Sequence, residues 1–327
     1  MRVYVIAEAG MNHDGDLDRA VRLAEVAADA GADAVKFQLH DASAESTRDA
    51  PSPPYFEDEP RWEYFERTGF TDEQWGTLRS ACEERGIEFL CSAFSLEALE
   101  RLERIGVSRH KIGSGEVTNI ALVQAAGETG KPVLLSSGMS SWAELDAAVE
   151  AAGASVVVLQ CTSAYPTLPE RVGLNVLAEL RERYGKPVGL SDHTRGTAAA
   201  LAAVVLGAEV VEKHFTLSRD AYGPDAAIGL EPDELRSLVG ELRELETMLA
   251  SPVDKDDLAP FAEMKRVFEK SVVAVETIPA GTTLEATMLA AKKPGSGIPA
   301  ARLPKLVGRR ARNDIAADAV LTEADVE

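Results

Sequence analysis

The segments GKPVLLSSGM at residues 130–139 and GKPVGLSDHT at residues 185–194 decide the fold class. In each, a glycine follows a helical pattern, a proline opens an apolar run, and polar residues come directly after it. Strands that are apolar almost without interruption are typical of parallel sheets, which are covered on both faces. Both segments therefore predict a parallel α/β sheet with polar residues at the carboxyl ends of its strands.

The same pattern occurs eight times along the chain. The predicted strands are Val3–Ala9, Ala34–Gln38, Glu88–Ala93, His110–Ser114, Pro132–Ser137, Ser155–Cys161, Pro187–Asp192 and Glu209–Phe215. Helical patterns follow them at 16–30, 72–85, 95–104, 118–128, 141–152, 170–183, 196–206 and 231–249. Eight such units in about 250 residues predict a (β/α)8 TIM barrel. A doubly wound sheet is the alternative, which the lack of a dinucleotide-binding glycine fingerprint disfavours.

The pattern changes after residue 250. Residues 251–269 are expected to form a linker with a short helix, and residues 270–327 show short strands broken by glycine and proline. The charge changes at the same place, because residues 270–327 carry a net charge of +1 and the rest of the chain carries −21. These shifts predict a barrel domain at 1–250, a linker at 251–269 and a small β-rich domain at 270–327.

Composition narrows the class of function. The 327 residues include 34 Lys and Arg against 54 Asp and Glu, a net charge of −20, which argues against a nucleic-acid binder with a general basic surface. No apolar run is long enough to span a membrane or to act as a signal peptide. The three cysteines, Cys82, Cys91 and Cys161, have no CxxC spacing and suggest reduced thiols. We therefore expect a cytoplasmic protein without nucleic-acid or membrane partners.

Two histidines follow neighbouring predicted strands. His193 and His214 lie at the carboxyl ends of the seventh and eighth strands, where TIM barrels carry their chemistry. Two imidazoles so placed could share a divalent metal, with water or substrate in the other positions. The alternative is that one or both are hydrogen-bonded core histidines. His13 and His40 are expected in loops, and His110 at the start of a strand.

Cationic and hydroxyl side chains follow the other strands. They are Lys36, Ser92, Lys111, Ser114, Ser136, Ser163 and Ser191. Charge-assisted donors on several sides suit a phosphate or a carboxylate. The serines alone could be ordinary turn residues, but buried lysines are rare, so the lysines favour a site with local positive charge.

Carboxylates accompany these donors. Glu8 and Glu116 could act as general bases or hold a sugar hydroxyl, or could simply pair with Lys36 and Lys111. Asp225, in a Gly-Pro-Asp turn, could accept hydrogen bonds from a polyol or could cap the turn. Cys91 and Cys161 are expected to pack as small apolar side chains.

Taken together, the motifs resemble the sialic acid synthase family. The matching segments are IAEAGMNHDGD (6–16), ADAVKFQ (32–38), KIGSGEVTN (111–119), LLSSGM (134–139), LQCTSAYPT (159–167), VGLSDHTRG (188–196), GAEVVEKHFTL (207–217), GPD (223–225) and KKPGSGI (292–298). They keep their order over almost the whole chain. The resemblance implies a TIM barrel followed by an antifreeze-like (SAF) domain, which agrees with the predicted boundary.

The resemblance implies a reaction and a role for each residue. Phosphoenolpyruvate would condense with N-acetylmannosamine or a related acetamido sugar, with Mn²⁺ or Mg²⁺ held by His193 and His214. The phosphoenolpyruvate-binding residues would be Lys36, Ser92, Lys111, Ser114, Ser136, Ser163 and Ser191. Glu8, Gln38, Tyr165 and Asp225 would face the sugar, Glu116 would lie beside the reacting carbons, and Lys293 would come from the SAF domain of a partner in a domain-swapped homodimer.

Several positions depart from the family pattern on the sugar side. Ala226 and Gly229 replace a histidine and a serine, and Lys293 replaces an arginine that would contact the N-acyl group. Lysine keeps the charge but lacks the planar fork of arginine. These changes bear on the choice of sugar more than on the reaction. Two alternatives stay open, another aldol-type synthase that condenses phosphoenolpyruvate with a sugar phosphate, and a non-catalytic sugar-binding paralogue.

Overall fold

A computed structural model describes residues 2–52 and 59–327. Within these ranges, eight parallel strands close into a barrel in sequence order, so the predicted TIM-barrel fold is confirmed. The barrel strands are β1 (Tyr4–Gly10), β2 (Ala34–Leu39), β3 (Glu88–Ala93), β4 (His110–Ile112), β5 (Val133–Ser136), β6 (Val156–Cys161), β7 (Val188–Asp192) and β8 (Val210–His214).

Helices surround the barrel strands. They are α1 (Leu17–Asp29), α2 (Ala42–Glu45), α3 (Arg61–Thr68), α4 (Asp72–Glu84), α5 (Leu96–Ile105), α6 (Ile120–Glu128), α7 (Trp142–Ala152), α8 (Val176–Tyr184), α9 (Ala198–Val205) and α10 (Pro232–Ala250). Local sequence sets several of their starts. Thr71 with Gln74 and Ser141 with Glu144 form reciprocal capping boxes at the starts of α4 and α7.

The structure differs from the predicted helices in two places. The polar segment between β2 and β3 contains α2 and α3 before α4, whereas the sequence pattern predicted α4 alone. The helix predicted at 170–183 begins later, at Val176, because Gly173 adopts a positive φ of 70° and separates it from a short 3-10 turn at Pro169–Arg171.

The barrel interior is layered because strand side chains alternate between its two faces. One interior layer is entirely apolar and consists of Ile6, Ala34, Leu90, Leu134, Leu159 and Val210. The outward-facing residues of the same strands pack with the helices in the main hydrophobic core. This apolar layer fills the inside of the barrel. A cavity inside the barrel therefore opens at the carboxyl ends of the strands.

The chain divides into two compact units, Met1–Ser251 and Pro252–Glu327. The second unit contains α11 (Ala262–Phe268), β9 (Ser271–Ala274), β10 (Leu289–Lys292) and α12 (Leu303–Leu306). Strands β9 and β10 pair antiparallel, and residues such as Val272, Leu289 and Leu321 form a separate small core. The domain and linker boundaries given from the sequence, at 1–250, 251–269 and 270–327, stay predictions.

Candidate active site

A cavity of about 660 Å³ lies at the carboxyl ends of the barrel strands. Its lining includes most of the residues singled out from the sequence. These are Glu8, Lys36, Gln38, Ser92, Lys111, Ser114, Ser136, Ser163, Tyr165, Ser191, His193 and His214. Three further candidates, Glu116, Asp225 and Lys293, are not among the lining residues.

The deepest polar residues of the cavity form a ring directly above the apolar layer. This polar ring consists of Glu8, Lys36, Ser92, Lys111, Ser136, Ser191 and Glu212, all of them buried. Most members follow a residue of the apolar layer by two positions, as Glu8 follows Ile6 and Ser136 follows Leu134. Strand register brings neighbours together, since Glu8 pairs with Lys36 and Ser191 with Glu212.

The two lysines of the ring are already matched by carboxylates. The Lys36 Nζ atom lies 2.7 Å from Glu8 Oε2 and 3.7 Å from Glu212 Oε2, and the Lys111 Nζ atom lies 3.7 Å from Glu212 Oε1. Lys36 also donates to Ser92 Oγ at 3.1 Å, and Lys111 to Ser136 Oγ at 2.8 Å. The side chains of the ring thus comprise two lysines and two carboxyl groups, so its own residues do not supply an excess of positive charge.

Burial and pairing shift the acidity of these groups in opposite directions. Burial raises the pKa of Glu8 to about 7, although Lys36 opposes the shift. Burial lowers the pKa of Lys111. For Glu212, burial acts to raise the pKa, but Lys111 and Lys36 outweigh it and the pKa is lowered. Glu8 is thus the ring carboxyl best suited to exchange a proton near neutral pH.

The two histidines lie side by side at the rim of the ring. Their ring centroids are 5.2 Å apart, and the ring of Tyr165 lies 4.3 Å from that of His193. His193 Nδ1 is bonded to the carbonyl oxygen of Thr162 at 2.9 Å, which leaves its Nε2 lone pair available. His214 Nδ1 is buried without a hydrogen bond, and burial holds the pKa of His214 well below the ordinary value.

A second wall of the cavity is built from hydroxyl and thiol groups. Ser114 Oγ accepts a hydrogen bond from the Gly138 backbone N–H at 3.0 Å and donates to Cys161 Sγ at 3.4 Å. Ser163 Oγ is buried with no hydrogen-bond partner. A side chain at position 138 would meet Ser163 Oγ at 2.4 Å and Ser114 Oγ at 2.6 Å, so only glycine allows this close approach.

The candidates assigned to the sugar side occupy different places. Gln38 Nε2 donates to Glu8 Oε1 at 2.8 Å inside the cavity. Asp225 is buried beside it, with Oδ2 accepting from the Met11 backbone N–H at 3.4 Å and Oδ1 lying 3.8 Å from His214 Nδ1. Glu116 is half-buried in the 3-10 turn after β4 and accepts from Asn119 at 3.0 Å.

Lys293 belongs to the second unit, where its Nζ atom lies 4.9 Å from the centroid of the Phe268 ring. The other two departures lie after β8. Ala226 is buried, and a side chain at Gly229 would meet the Phe215 carbonyl carbon at 3.0 Å and the Thr216 nitrogen at 3.1 Å. The backbone around Gly229 therefore leaves little room for the serine common in the family.

Sequence reasoning missed two residues of this site. Glu212 was not selected, although strand alternation from His214 places it on the same inward face. Cys161, expected as packing, lines the cavity and lies 3.8 Å from His193 Nδ1. The same alternation turns Lys213 outward, where its buried Nζ donates to Asp192 Oδ2 at 2.9 Å and to Thr194.

Other positions agree with what the sequence indicated. His110 is the first residue of β4, and His13 follows β1 in a loop, where it is fully buried against the Phe70 ring at 4.5 Å. Among residues 2–52 and 59–327, no cluster of three or more His, Cys, Asp or Glu could hold a metal ion by itself. No helix of the described ranges is long and apolar enough to cross a membrane.

Comparison with known proteins gives the family. The NeuB family model matches residues 23–254, and the SAF domain model matches residues 269–327. The chain is 34% identical to the N,N'-diacetyllegionaminic acid synthase of Campylobacter jejuni, over 98% of this chain and 99% of that protein. It is 36% identical to the N-acetylneuraminate-9-phosphate synthase of Homo sapiens, over 99% of this chain and 92% of that protein.

A solved structure supports the same family. The N-acetylneuraminic acid synthetase of Leptospira borgpetersenii, crystallised with citrate, superposes with a TM-score of 0.71 at 32% identity, over 81% of this chain and 91% of that one. The family resemblance seen in the motifs and the SAF domain are thereby confirmed. This chain belongs to the NeuB family, the family of the nonulosonic acid synthases, and carries a carboxyl-terminal SAF domain.

Proposed function

We propose that the protein condenses phosphoenolpyruvate with N-acetylmannosamine or a related acetamido sugar and water, giving a nine-carbon 2-keto sugar acid and phosphate. Family membership makes it an enzyme of the synthase type. The observation that carries the proposal is the polar ring with its two lysines beside a pair of histidines, all on one cavity. An anion and an aldehyde can meet there.

The proposed anion site comprises the lysines and serines of the ring and of the hydroxyl wall. Lys36 and Lys111 would receive the phosphate and carboxylate of phosphoenolpyruvate, with Ser92, Ser114, Ser136, Ser163 and Ser191 as further donors. The unpartnered hydroxyl of Ser163 supports this role, because a buried polar atom without a partner is costly unless a ligand satisfies it. Since the ring is already neutral, binding a multiply charged anion calls for further positive charge.

A divalent metal is the fitting source of that charge. His214, which is neutral and has an Nδ1 without a hydrogen bond, and His193, which the Thr162 carbonyl orients, have the features of metal-ligating imidazoles. We propose that these two residues hold Mn²⁺ or Mg²⁺, with the remaining positions filled by water and substrate. When bound, such an ion would supply Lewis-acid polarisation of the sugar aldehyde.

The protein's own residues would handle orientation and protons. Carbon C3 of phosphoenolpyruvate bonds to the aldehyde carbon, water oxygen bonds to C2, and phosphate departs as the C2–O bond breaks. Glu8, whose pKa is raised to about 7 by burial, would hold or deliver a proton at the sugar oxygen. Gln38, Tyr165 and Asp225 would orient the sugar, and Glu116 would act beside the reacting carbons.

An assay of phosphate release tests the proposal. The purified protein is given phosphoenolpyruvate, Mn²⁺ and, in turn, N-acetylmannosamine and the two diacetamido-trideoxy hexoses that lead to legionaminic and pseudaminic acid. We expect release with one of them, and none when the sugar or the metal is omitted. His214→Ala should lose Mn²⁺ binding while keeping its fold by circular dichroism. Full turnover by that variant would refute the metal assignment.

A second candidate acceptor is a sugar phosphate, as the name of the human relative suggests. A 6-phosphorylated acetamido hexose in the same assay distinguishes the two. Wild-type protein that binds neither Mn²⁺ nor phosphoenolpyruvate in calorimetry would instead favour a non-catalytic paralogue.

The proposal includes a cytoplasmic, domain-swapped homodimer in which Lys293 completes the sugar site of the partner. Mixing two defective variants tests this arrangement. Lys293→Ala and His214→Ala should each be impaired, and unfolding and refolding them together should restore about a quarter of the sites. Failure to recover activity, although hybrid dimers form, would refute the shared site.

A further inference from the structure

A chain of hydrogen bonds leads from the cavity to the loop after β2. Glu8 Oε1 accepts from Gln38 Nε2 at 2.8 Å, and Gln38 Oε1 lies 3.1 Å from His40 Nε2. His40 Nδ1 in turn lies 2.8 Å and 3.0 Å from the two carboxylate oxygens of Glu45. We call these four residues, Glu8, Gln38, His40 and Glu45, the His40 relay.

The imidazole of His40 is held in place on both faces. Its ring stacks on Phe65 with a centroid distance of 3.8 Å and an interplanar angle of 4°, and on Phe94 at 4.2 Å and 16°. Phe94 also lines the cavity. The side chains of His40 and Glu45 are 5% and 3% exposed, so water does not compete for their hydrogen bonds. Asp41 caps α2, which carries Glu45.

The partners dictate where the protons are. Glu8 is paired with Lys36 as a carboxylate, which only accepts, so the amide nitrogen of Gln38 must face it. The amide oxygen of Gln38 then faces His40, and His40 Nε2 must carry a proton. A further proton lies between His40 Nδ1 and Glu45, whichever of the two holds it. With Glu8 as a carboxylate, this arrangement satisfies every member of the relay.

We propose that His40, anchored by Glu45, is a positioning residue for the active site, because it fixes the orientation of the Gln38 amide and thereby of the Glu8 carboxylate. This inference rests on the proposed function, in which Glu8 and Gln38 meet the sugar. With His40 Nε2 unprotonated or absent, the Gln38 amide is held only by Glu8, and it can turn its oxygen toward the cavity when Glu8 is protonated. The sugar would then meet an acceptor where it requires a donor.

A further carboxyl lies near the relay. Burial raises the pKa of Glu116, the charge of Glu45 adds to the shift, and Arg61 and His40 oppose it. The loop after β4 and the loop after β2 are thus electrostatically coupled. The relay is hydrogen-bonded to Glu8, whereas its charge acts on Glu116 only as a minor contribution beside burial and the Asn119 hydrogen bond.

Paired substitutions separate the relay from simple packing. His40→Phe keeps an aromatic ring between Phe65 and Phe94 but removes both ring nitrogens. Glu45→Leu removes the anchor, whereas Glu45→Gln can donate an amide N–H to His40 Nδ1 and so keeps the proton on Nε2. In full-length protein, we expect H40F and E45L to raise the KM for the sugar about tenfold with less than a twofold change in the KM for phosphoenolpyruvate, and E45Q to stay within twofold of wild type.

His110→Phe is the matched control. His110 is a buried histidine paired with a carboxylate, with Nε2 lying 2.9 Å from Glu103 Oε1, but it begins its strand at the opposite end of the barrel. It should leave both KM values unchanged. A rise in sugar KM for H110F equal to that for H40F would show a general loss of packing and overturn the proposal.

Nitrogen-15 NMR of histidine-labelled protein gives a readout that needs no substrate. His40 Nε2 should carry a proton and donate it to Gln38 Oε1 in the wild type and in E45Q. An unprotonated Nε2 in the wild type would overturn the relay. If no sugar supports turnover, the proposed function fails, while the NMR result still decides the relay independently.

Discussion

Glu212→Gln is the most informative perturbation of the polar ring. The substitution keeps the shape and the hydrogen bond with Ser191, which is 2.9 Å long, but removes a buried charge shared by two lysines at 3.7 Å each. At an effective dielectric constant of about 20, the Coulomb attraction between Glu212 and each lysine is about 4 kcal/mol. Lys36 keeps Glu8 as a partner, whereas no other carboxylate is paired with Lys111 among the described residues. We therefore expect E212Q to lose about 3–5 kcal/mol of unfolding free energy at pH 7.

The pH dependence of that loss tests its cause. Burial already lowers the pKa of Lys111, and removal of Glu212 lowers it further. The unfolded chain then binds more protons than the folded one at a pH between the folded pKa and the ordinary lysine value of about 10.4, so stability rises with pH in that window. The deficit of E212Q in urea unfolding should shrink from pH 7 to pH 9.

Ser191→Ala is the control, because it removes the hydrogen bond and leaves the charge. It should cost about 1 kcal/mol with no change between the two pH values. Equal stability of E212Q and wild type at pH 7, or a deficit that is the same at pH 7 and pH 9, would refute the electrostatic account of the ring.

Three further predictions concern stability. Burial lowers the pKa of His13 to about 3. Below about pH 6.5 the histidine is therefore protonated in the unfolded chain but not in the folded one, so the free energy of unfolding decreases as the pH is lowered. His13→Gln should remove about 1.4 kcal/mol of the difference in unfolding free energy between pH 7.5 and pH 5.5; an unchanged difference would contradict the assignment. Lys213→Met should cost about 3–5 kcal/mol by leaving the buried Asp192 unpaired, and adding Asp192→Asn should recover at least half of it; purely additive losses in urea unfolding would argue against the pair. Leu159→Ala in the fully buried apolar layer should cost about 2–5 kcal/mol in the same measurement, and a loss below 1 kcal/mol would show that the layer collapses around the gap.

Much of the barrel can be predicted from the sequence, because each strand is an apolar run that polar residues follow directly. The eight predicted strands all form, since each run has the length and continuity that burial on two faces requires. The helices α2 and α3 were not predicted, because they are only four and eight residues long and the sequence around them is rich in proline and charge.

The candidate site was predictable as a collection of residues but not as a set of pairs. Lys36 and Lys111 were found by their position at strand ends, yet nothing local in the sequence shows that Glu212 lies between them. That contact joins residues far apart in the chain and depends on barrel closure. Applying strand alternation strictly would have selected Glu212 and put His40 on the same face as Lys36 and Gln38.

The apolar layer beneath the polar ring has a kinetic consequence. Ile6, Leu90 and Leu134, with the rest of that layer, make the cavity a dead end with its mouth on one side. A molecule held against the lysines must arrive before one that sits nearer the rim, and must depart after it. Under the proposed function, we therefore expect the ligand at the lysines to bind first and to leave last, and changes in the rim loops to affect the ligand that binds second.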